Sequence, residues 1–150
     1  MVSVEYVIDC NSKILGRLAS SAAKMLLKGD SVVLVNAEKA VVSGHIADLV
    51  ENYKRKIELT DKANPEHSPY ISRRPDLFVK RTVRGMLPFK KAKGKQAYRR
   101  LKVYMGVPEQ YKAKAEGGAE AKQKIKTIKD VTEKTVTIAE LMEKLGYSIR

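Results

Sequence analysis

The chain has little of what secreted or membrane proteins need. It contains one cysteine, Cys10, so no disulfide can form within it. No apolar run approaches the roughly 18 residues that read as a membrane-spanning helix. The first residues lack the basic and apolar stretches of a secretory signal. These absences predict an intracellular protein without membrane contact, in which Cys10 is a small buried apolar side chain.

Residues typical of metal and catalytic sites are also scarce. His45 and His67 are far apart, and no group of Cys, His and carboxylates has the spacing of metal ligands. The chain has no Walker loop and no dinucleotide-binding glycine fingerprint. Residues 43–45, Ser-Gly-His, lack a third group for nucleophilic catalysis. The sequence therefore predicts no metal, no cofactor, no small-molecule substrate and no enzymatic activity.

Acidic residues are almost missing from residues 71–102, which we call the basic segment. It holds twelve Lys and Arg residues against Asp76 alone, so it carries +11 of the net charge of +13. A charge run is often only a solvated face, but solvated helix faces usually mix both signs. A positive field this concentrated is typical of a surface that binds a polyanion. We therefore interpret the basic segment as a nucleic-acid-binding surface.

The first half of the basic segment has the pattern of a helix. Pro75 suits the first helical position, and Pro88 stops the helix. Val79, Val83 and Met86 recur at i, i+4 and i+7, which predicts an apolar stripe that packs inward.

A basic face is expected beside that stripe, with Lys80, Arg81, Arg84 and Gly85 on it. Glycine within a helix is less favourable than alanine by about 1 kcal/mol, so Gly85 needs a reason. We assign it to close approach of an RNA backbone. The alternative is that Gly85 begins the helix C-cap with a positive φ.

A second short helix is expected after a turn at residues 90–94. Its apolar side would hold Ala97, Leu101 and Tyr104, and its basic side Lys95, Arg99 and Lys102. Two short basic helices joined by a Lys/Gly loop can follow a folded phosphate backbone.

The rest of the chain alternates strands with helices. Strands are predicted at residues 4–8, 31–35 and 40–42, and helices over 15–25, where Gly29 would end the helix, and 46–57. This order predicts a parallel or mostly parallel sheet covered by helices.

The segments around this core differ in character. Residues 60–72 contain Pro and Asn without periodicity, which indicates a long loop that leads to the basic segment. Residues 109–130 have few apolar anchors and are expected to be a mobile surface segment or weak helix. A strand at 134–138 and a final helix, with a capping box at Thr137 and Glu140, are expected to return to the core within a single domain, residues 1–150.

Six blocks, in the same order along the chain, resemble the universal ribosomal protein L13 family of the large subunit. They are residues 15–20, 35–38, 41–44, 73–76, 81–88 and 101–108. The resemblance covers about residues 4–108, and the Gly-Met-Leu-Pro sequence at 85–88 after a basic helix is its most specific part. The short connection at 28–30 and the lack of a long helical tail are similar to archaeal members.

The resemblance implies a three-layer α/β/α fold with a mainly parallel four-stranded sheet and a basic helical RNA-binding segment. It also implies binding to large-subunit ribosomal RNA beside neighbouring ribosomal proteins, a part in early subunit assembly, a cytoplasmic location on the ribosome, and no catalysis. The candidate RNA-binding residues are Arg17, Arg73, Arg74, Lys80, Arg81, Arg84, Gly85, Lys90, Lys91, Lys93, Lys95, Arg99, Arg100 and Lys102.

Two other functions remain open at this point. A free-standing translational regulator would bind messenger RNA or another protein through the same basic patch. An RNA-modifying enzyme is disfavoured, because the chain shows no cofactor loop and no acid–base pair.

Overall fold

A computed structural model describes residues 4–116 and 134–148. The strands within them are Glu5–Asp9 (β1), Ser31–Val35 (β2), Val41–Ser43 (β3), Leu101–Val103 (β4) and Thr135–Thr137 (β5). The helices are Leu15–Lys28 (α1), Ile46–Glu58 (α2), Pro75–Gly85 (α3), Ala92–Arg99 (α4), Glu109–Glu116 (α5) and Ile138–Lys144 (α6). Short 3₁₀ turns lie at Ala37–Lys39 and Pro65–His67, the latter inside the predicted loop.

The central sheet is parallel, in the order β1-β2-β4. The valine-rich strand β2 occupies the middle and is almost wholly buried, as a strand covered on both faces should be. Four mainly parallel strands were expected; the described residues place three in this sheet, and β3 pairs antiparallel with β5 instead. The connection from β2 to β3 is too short for a parallel crossover, which needs about a dozen residues or more.

Helices cover both faces of the sheet. On one face the main core joins α1, α3, α4 and α6 to Leu34 of β2 and Leu101 of β4. On the opposite face Val33 and Val35 pack with Tyr111 of α5 in a smaller cluster. The mixed α/β architecture with a parallel sheet is therefore as predicted.

Helix α1 follows its sequence pattern closely. Leu15, Leu18 and Met25 are buried at the predicted helical spacing. Gly29 ends the helix with φ of 111°, and its N–H donates to the Leu26 carbonyl. This left-handed conformation favours glycine, so the predicted stop is confirmed.

The last described helix returns to the core, as the sequence predicts. Ile138, Leu141 and Met142 of α6 are fully buried. The helix begins where the Thr137 hydroxyl accepts a hydrogen bond from the Glu140 N–H at 3.2 Å. Of the predicted surface segment, residues 109–130, the first eight form α5, and residues 117–130 lie outside the described residues.

Cys10 lies fully buried after β1, which confirms its interpretation as a small apolar side chain. Burial, with a smaller contribution from the nearby Asp9 carboxylate, raises the pKa of the Cys10 thiol to about 12. The thiol is therefore neutral and shielded at physiological pH.

Helix α4 begins earlier than the sequence suggested. Gly94 was expected in a turn but lies in the first turn of α4. A Cβ at Gly94 would stand 2.1 Å from the Pro88 carbonyl oxygen and 2.9 Å from the Phe89 nitrogen. Only glycine allows α4 to pack this closely against the chain that leaves α3.

We predict that Gly94→Ala lowers the free energy of unfolding by roughly 1–3 kcal/mol, as overpacking against backbone does. Gly85→Ala is the matched control, because no atom outside its helix backbone and chain neighbours lies within 4 Å of an added Cβ. That variant should be unchanged or more stable by up to about 1 kcal/mol. Urea unfolding of the free protein measures both, and equal stability of the two variants would contradict the packing account.

Candidate nucleic-acid interface

Helix α3 buries one side and leaves its cations on the other. Its buried residues include Phe78, Val79 and Val83, and the next apolar side chain that packs inward is Leu87. Met86 was expected in the buried stripe but is 42% exposed. The helix ends at Gly85, so Met86 lies beyond it and the helical i+7 spacing does not place its side chain on the buried face.

The start of α3 carries a paired charge. The Arg74 guanidinium donates two hydrogen bonds to the Asp76 carboxylate, at 3.2 and 2.8 Å. This hydrogen bonding and the Asp76 charge raise the pKa of Arg74. Among the described residues of the basic segment, Arg74 is the one cation in an ion pair, so its charge is already compensated.

Three cations of α3 lie over aromatic rings instead of acids. The Arg84 guanidinium carbon is 4.1 Å from the Phe89 ring centroid, and the Lys80 Nζ is 5.3 Å from the Tyr98 centroid. Phe89 and Tyr98 meet edge to face at 5.4 Å. These four side chains form a cation–aromatic ladder, which orients the charges without neutralising them.

Arg81, the third of these cations, is held by the loop before α3. Its guanidinium carbon lies 5.1 Å from the Tyr70 ring centroid, and its Nη1 donates to the Tyr70 carbonyl oxygen. Residue Tyr70 nevertheless stays 73% exposed. Arg81 thus fastens an exposed aromatic ring beside the basic helix.

An open cleft of about 720 Å³ lies at the C-terminal end of α3. Tyr70, Arg81, Arg84, Phe89, Lys90 and Lys91 are among the residues that line it. Aromatic side chains and cations therefore share one concavity, a combination suited to a ligand with flat rings and negative charge.

Gly85 also lines this cleft, and it is exposed. It is the last residue of α3, and the positive-φ glycines among the described residues do not include it. The C-cap alternative, which required a positive φ, is therefore wrong. Close approach of an RNA backbone stays a prediction.

The lysines after α3 are exposed on and before α4. Lys91 takes the N-cap position of α4, and no side chain caps that helix end. The exposed cations of this stretch are Lys90, Lys91, Lys93, Lys95 and Arg99. The positive end of the helix dipole adds to their field.

Arg100 lies inward, unlike its neighbour Arg99. Its Nη2 donates to the Leu26 carbonyl at 2.9 Å, near the end of α1, and the side chain is partly buried. Within the described part of the chain, its Nε has no hydrogen-bond partner. Arg100 therefore holds α4 against α1.

Lys102 lies on the other side of the sheet from the basic helices. It was expected on a helix with Lys95 and Arg99, but β4 begins at Leu101. Lys102 is the register partner of Val33, whose side chain belongs to the cluster under α5. The helical spacing was misleading, because Leu101 begins a strand that pairs with β2. Successive side chains of a strand point to opposite faces of the sheet, so Leu101 is buried on one face and Lys102 lies on the other.

The two remaining candidates lie outside the cleft lining. Arg17 is exposed in the first turn of α1. Arg73 is exposed before α3, with Nη1 3.7 Å from where a Cβ on Gly146 would stand. The cleft brings together Arg81 and Arg84 of α3 with Lys90 and Lys91, which precede α4. Its lining does not include Arg17 or Lys102.

Sequence reasoning missed the aromatic half of this surface. Tyr70, Phe89 and Tyr98 contact the α3 cations, yet only the charges were singled out. Aromatic residues interleaved with lysines were the available signal, since bases stack on such rings.

The described residues offer little beyond this surface. His45 caps α2, where its Nδ1 accepts from the Ala47 N–H at 3.4 Å. Within residues 4–116 and 134–148 no three His, Cys, Asp or Glu residues form a group that could hold a metal. None of the helices in those ranges is long and apolar enough to cross a membrane.

Comparison with known proteins identifies related chains. The family model described as Ribosomal protein L13 matches residues 3–110. The large ribosomal subunit protein uL13 of Archaeoglobus fulgidus is 47% identical over 141 residues, 94% of this chain and 87% of that protein. The protein of the same name from Methanocaldococcus jannaschii is 42% identical over 141 residues, 93% of this chain and 96% of its own.

We predict that replacing either of two adjacent arginines by alanine has different effects on the stability of the fold. Arg100→Ala should lower the free energy of unfolding by roughly 1–2 kcal/mol, because it removes a hydrogen bond to the end of α1. Arg99→Ala, the matched control, should stay within about 0.5 kcal/mol. Both remove one charge, so urea unfolding compares them directly. Equal stability would show that Arg100 is as dispensable to the fold as its neighbour.

Proposed function

Because the chain belongs to the ribosomal protein L13 family, we propose that it is a structural constituent of the large ribosomal subunit. It binds large-subunit ribosomal RNA, contacts neighbouring ribosomal proteins and contributes to early subunit assembly in the cytoplasm. It performs no catalysis there, and its contribution is to hold RNA in a fixed shape.

One observation carries this proposal: cations of α3 and those before α4 line one cleft, and the basic segment contains no unpaired acid. Asp76 is the single acidic residue of the basic segment, and it is paired with Arg74. Phosphate groups are the natural complement of such a surface, because each one neutralised releases a condensed counterion.

By their exposure and their contacts within the protein, we divide the candidate residues into three proposed groups. The first group contacts phosphates directly and includes the partly buried Lys80. Its exposed cations are Arg81, Arg84, Lys90, Lys91, Lys93, Lys95 and Arg99. The second, Arg74 and Arg100, acts through the fold, because Asp76 compensates the charge of Arg74 and Arg100 lies inward against the Leu26 carbonyl. The third, Arg17, Arg73 and Lys102, serves separate RNA strands or neighbouring proteins.

The backbone at Gly85 supplies a further contact. An added side chain would meet open space there, on the rim of the cleft. A sugar–phosphate chain can therefore approach the last turn of α3, with Arg81 and Arg84 beside it. Alanine at this position leaves the free protein intact and keeps the RNA at a distance.

We expect the native protein to sediment with the large subunit, in equimolar amount and with almost no free pool. Quantitative immunoblotting of sucrose-gradient fractions from the source cells measures this distribution. A large free pool that binds messenger RNA would instead support the translational regulator.

We also expect the affinity for archaeal large-subunit ribosomal RNA to fall steeply and log-linearly with salt. Replacing Lys90, Lys91 and Lys93 by Ala should reduce the magnitude of the slope by about 2–3, because each neutralised phosphate contributes roughly 0.7–0.9 to it. Filter binding over a salt series measures the slope.

The matched control replaces three exposed lysines outside the basic segment: Lys24, Lys54 and Lys144. Both triple variants have the same net charge. If the control changes the slope as much as the test variant, the protein attracts RNA through its overall charge, and the α3–α4 surface is not the binding site.

A further inference from the structure

We propose that the cleft at the end of α3 receives one unstacked nucleotide of the bound RNA. Its base stacks on Tyr70, and its phosphates lie beside Arg84, Lys90 and Lys91. This inference rests on the proposed RNA binding and adds to it a specific subsite, which selects RNA with an extruded base over a regular duplex.

Tyr70 is the first reason. Tyr70 as a residue is 73% exposed, so this large aromatic residue carries apolar surface into water and the fold gives it little cover. The position of Tyr70 is nevertheless fixed, because Arg81 donates a hydrogen bond to its carbonyl oxygen and lies against its ring. A ring that is held in position and left open is a preorganised stacking surface.

The size and walls of the cleft fit one nucleotide. The cleft is open to solvent, and its volume of about 720 Å³ leaves room for a nucleotide. Leu87 and Pro88 supply apolar lining, and Phe89 brings a second ring, over which Arg84 lies at 4.1 Å. Flat apolar walls suit the base, and the Lys90–Lys91 rim suits its phosphates.

Gly85 gives the sugar its access. It lines the same cleft, and no atom outside its helix backbone and chain neighbours occupies the space where its side chain would stand. The ribose can therefore reach the last turn of α3 while the base extends toward Tyr70.

An extended nucleotide explains the combination better than other polyanions. The bases of a regular duplex are stacked inside it and present only phosphates to a convex cationic face. An acidic peptide would satisfy the cations but has no flat ring for Tyr70. Proteins recognise single-stranded loops and bulges of RNA by stacking bases on aromatic rings and guanidinium groups.

The test uses two RNA hairpins of equal length and charge. One carries a single bulged 2-aminopurine, and the other is fully paired with the same fluorescent base inside the stem. Equilibrium titration with the full-length protein measures affinity and 2-aminopurine emission for wild type, Tyr70→Leu and Tyr70→Phe.

We expect the bulged hairpin to bind more tightly and its emission to be quenched on binding. Tyr70→Leu should weaken the bulged complex by roughly 5- to 150-fold, the range for loss of one base–aromatic stack, and the paired complex by less than about 2-fold. Tyr70→Phe keeps the ring and should bind like wild type. Because residue 70 is exposed, the midpoint of urea unfolding should be the same for both variants as for wild type.

Other outcomes separate this inference from the function on which it rests. Equal binding of both hairpins, with unquenched emission and no effect of Tyr70→Leu, would overturn the nucleotide subsite and leave RNA binding intact. Binding of neither hairpin would overturn both. Tyr70-dependent displacement of RNA by polyglutamate would assign the cleft to an acidic protein partner instead.

Discussion

The contact between the Gly94 backbone and the Pro88 carbonyl sets the shape of the whole basic surface. With no side chain between them, α4 lies directly against the chain that leaves α3. Phe89 and Tyr98 are thereby brought edge to face, with Arg84 over the first ring and Lys80 over the second. Like charges on adjacent helices repel each other, so their proximity has to be enforced by packing. Here the packing against Pro88 and the burial of Ala97 on α4 enforce it.

Aromatic rings restrain the cations of α3 without cancelling their charge, which acidic partners cannot do. An ion pair such as Arg74–Asp76 orients a guanidinium but cancels its charge toward any ligand. A ring under Arg84 or Lys80 restrains the side chain while its positive charge stays available. The side-chain entropy that binding would remove is partly removed already in the free protein. The surface is therefore both strongly charged and ordered before a partner arrives.

The sequence predicted an element correctly where its local pattern was compatible with only one structure. The Gly29 stop and the buried face of α1 follow from local sequence, and both are as predicted. The spacing of Ala97 and Leu101 fits a helix equally well, and only the free edge of β2 decides that Leu101 begins a strand. The charge run was visible in the sequence, but its division was not. Arg99 and Arg100 are adjacent in the sequence, but at the end of α4 the Arg99 side chain is exposed and the Arg100 side chain bonds to the Leu26 carbonyl.

The edge strand β4 of the central sheet comes late in the chain, and this has a consequence for how the chain folds. β4 pairs with β2 across a separation of about seventy residues, and α6 completes the core from still further along. Contacts this distant in sequence slow folding, because long loops must close before any energy is gained. During synthesis both basic helices emerge ahead of these two elements. The basic helices therefore reach their final packing only after Leu101–Val103 and α6 have been synthesised.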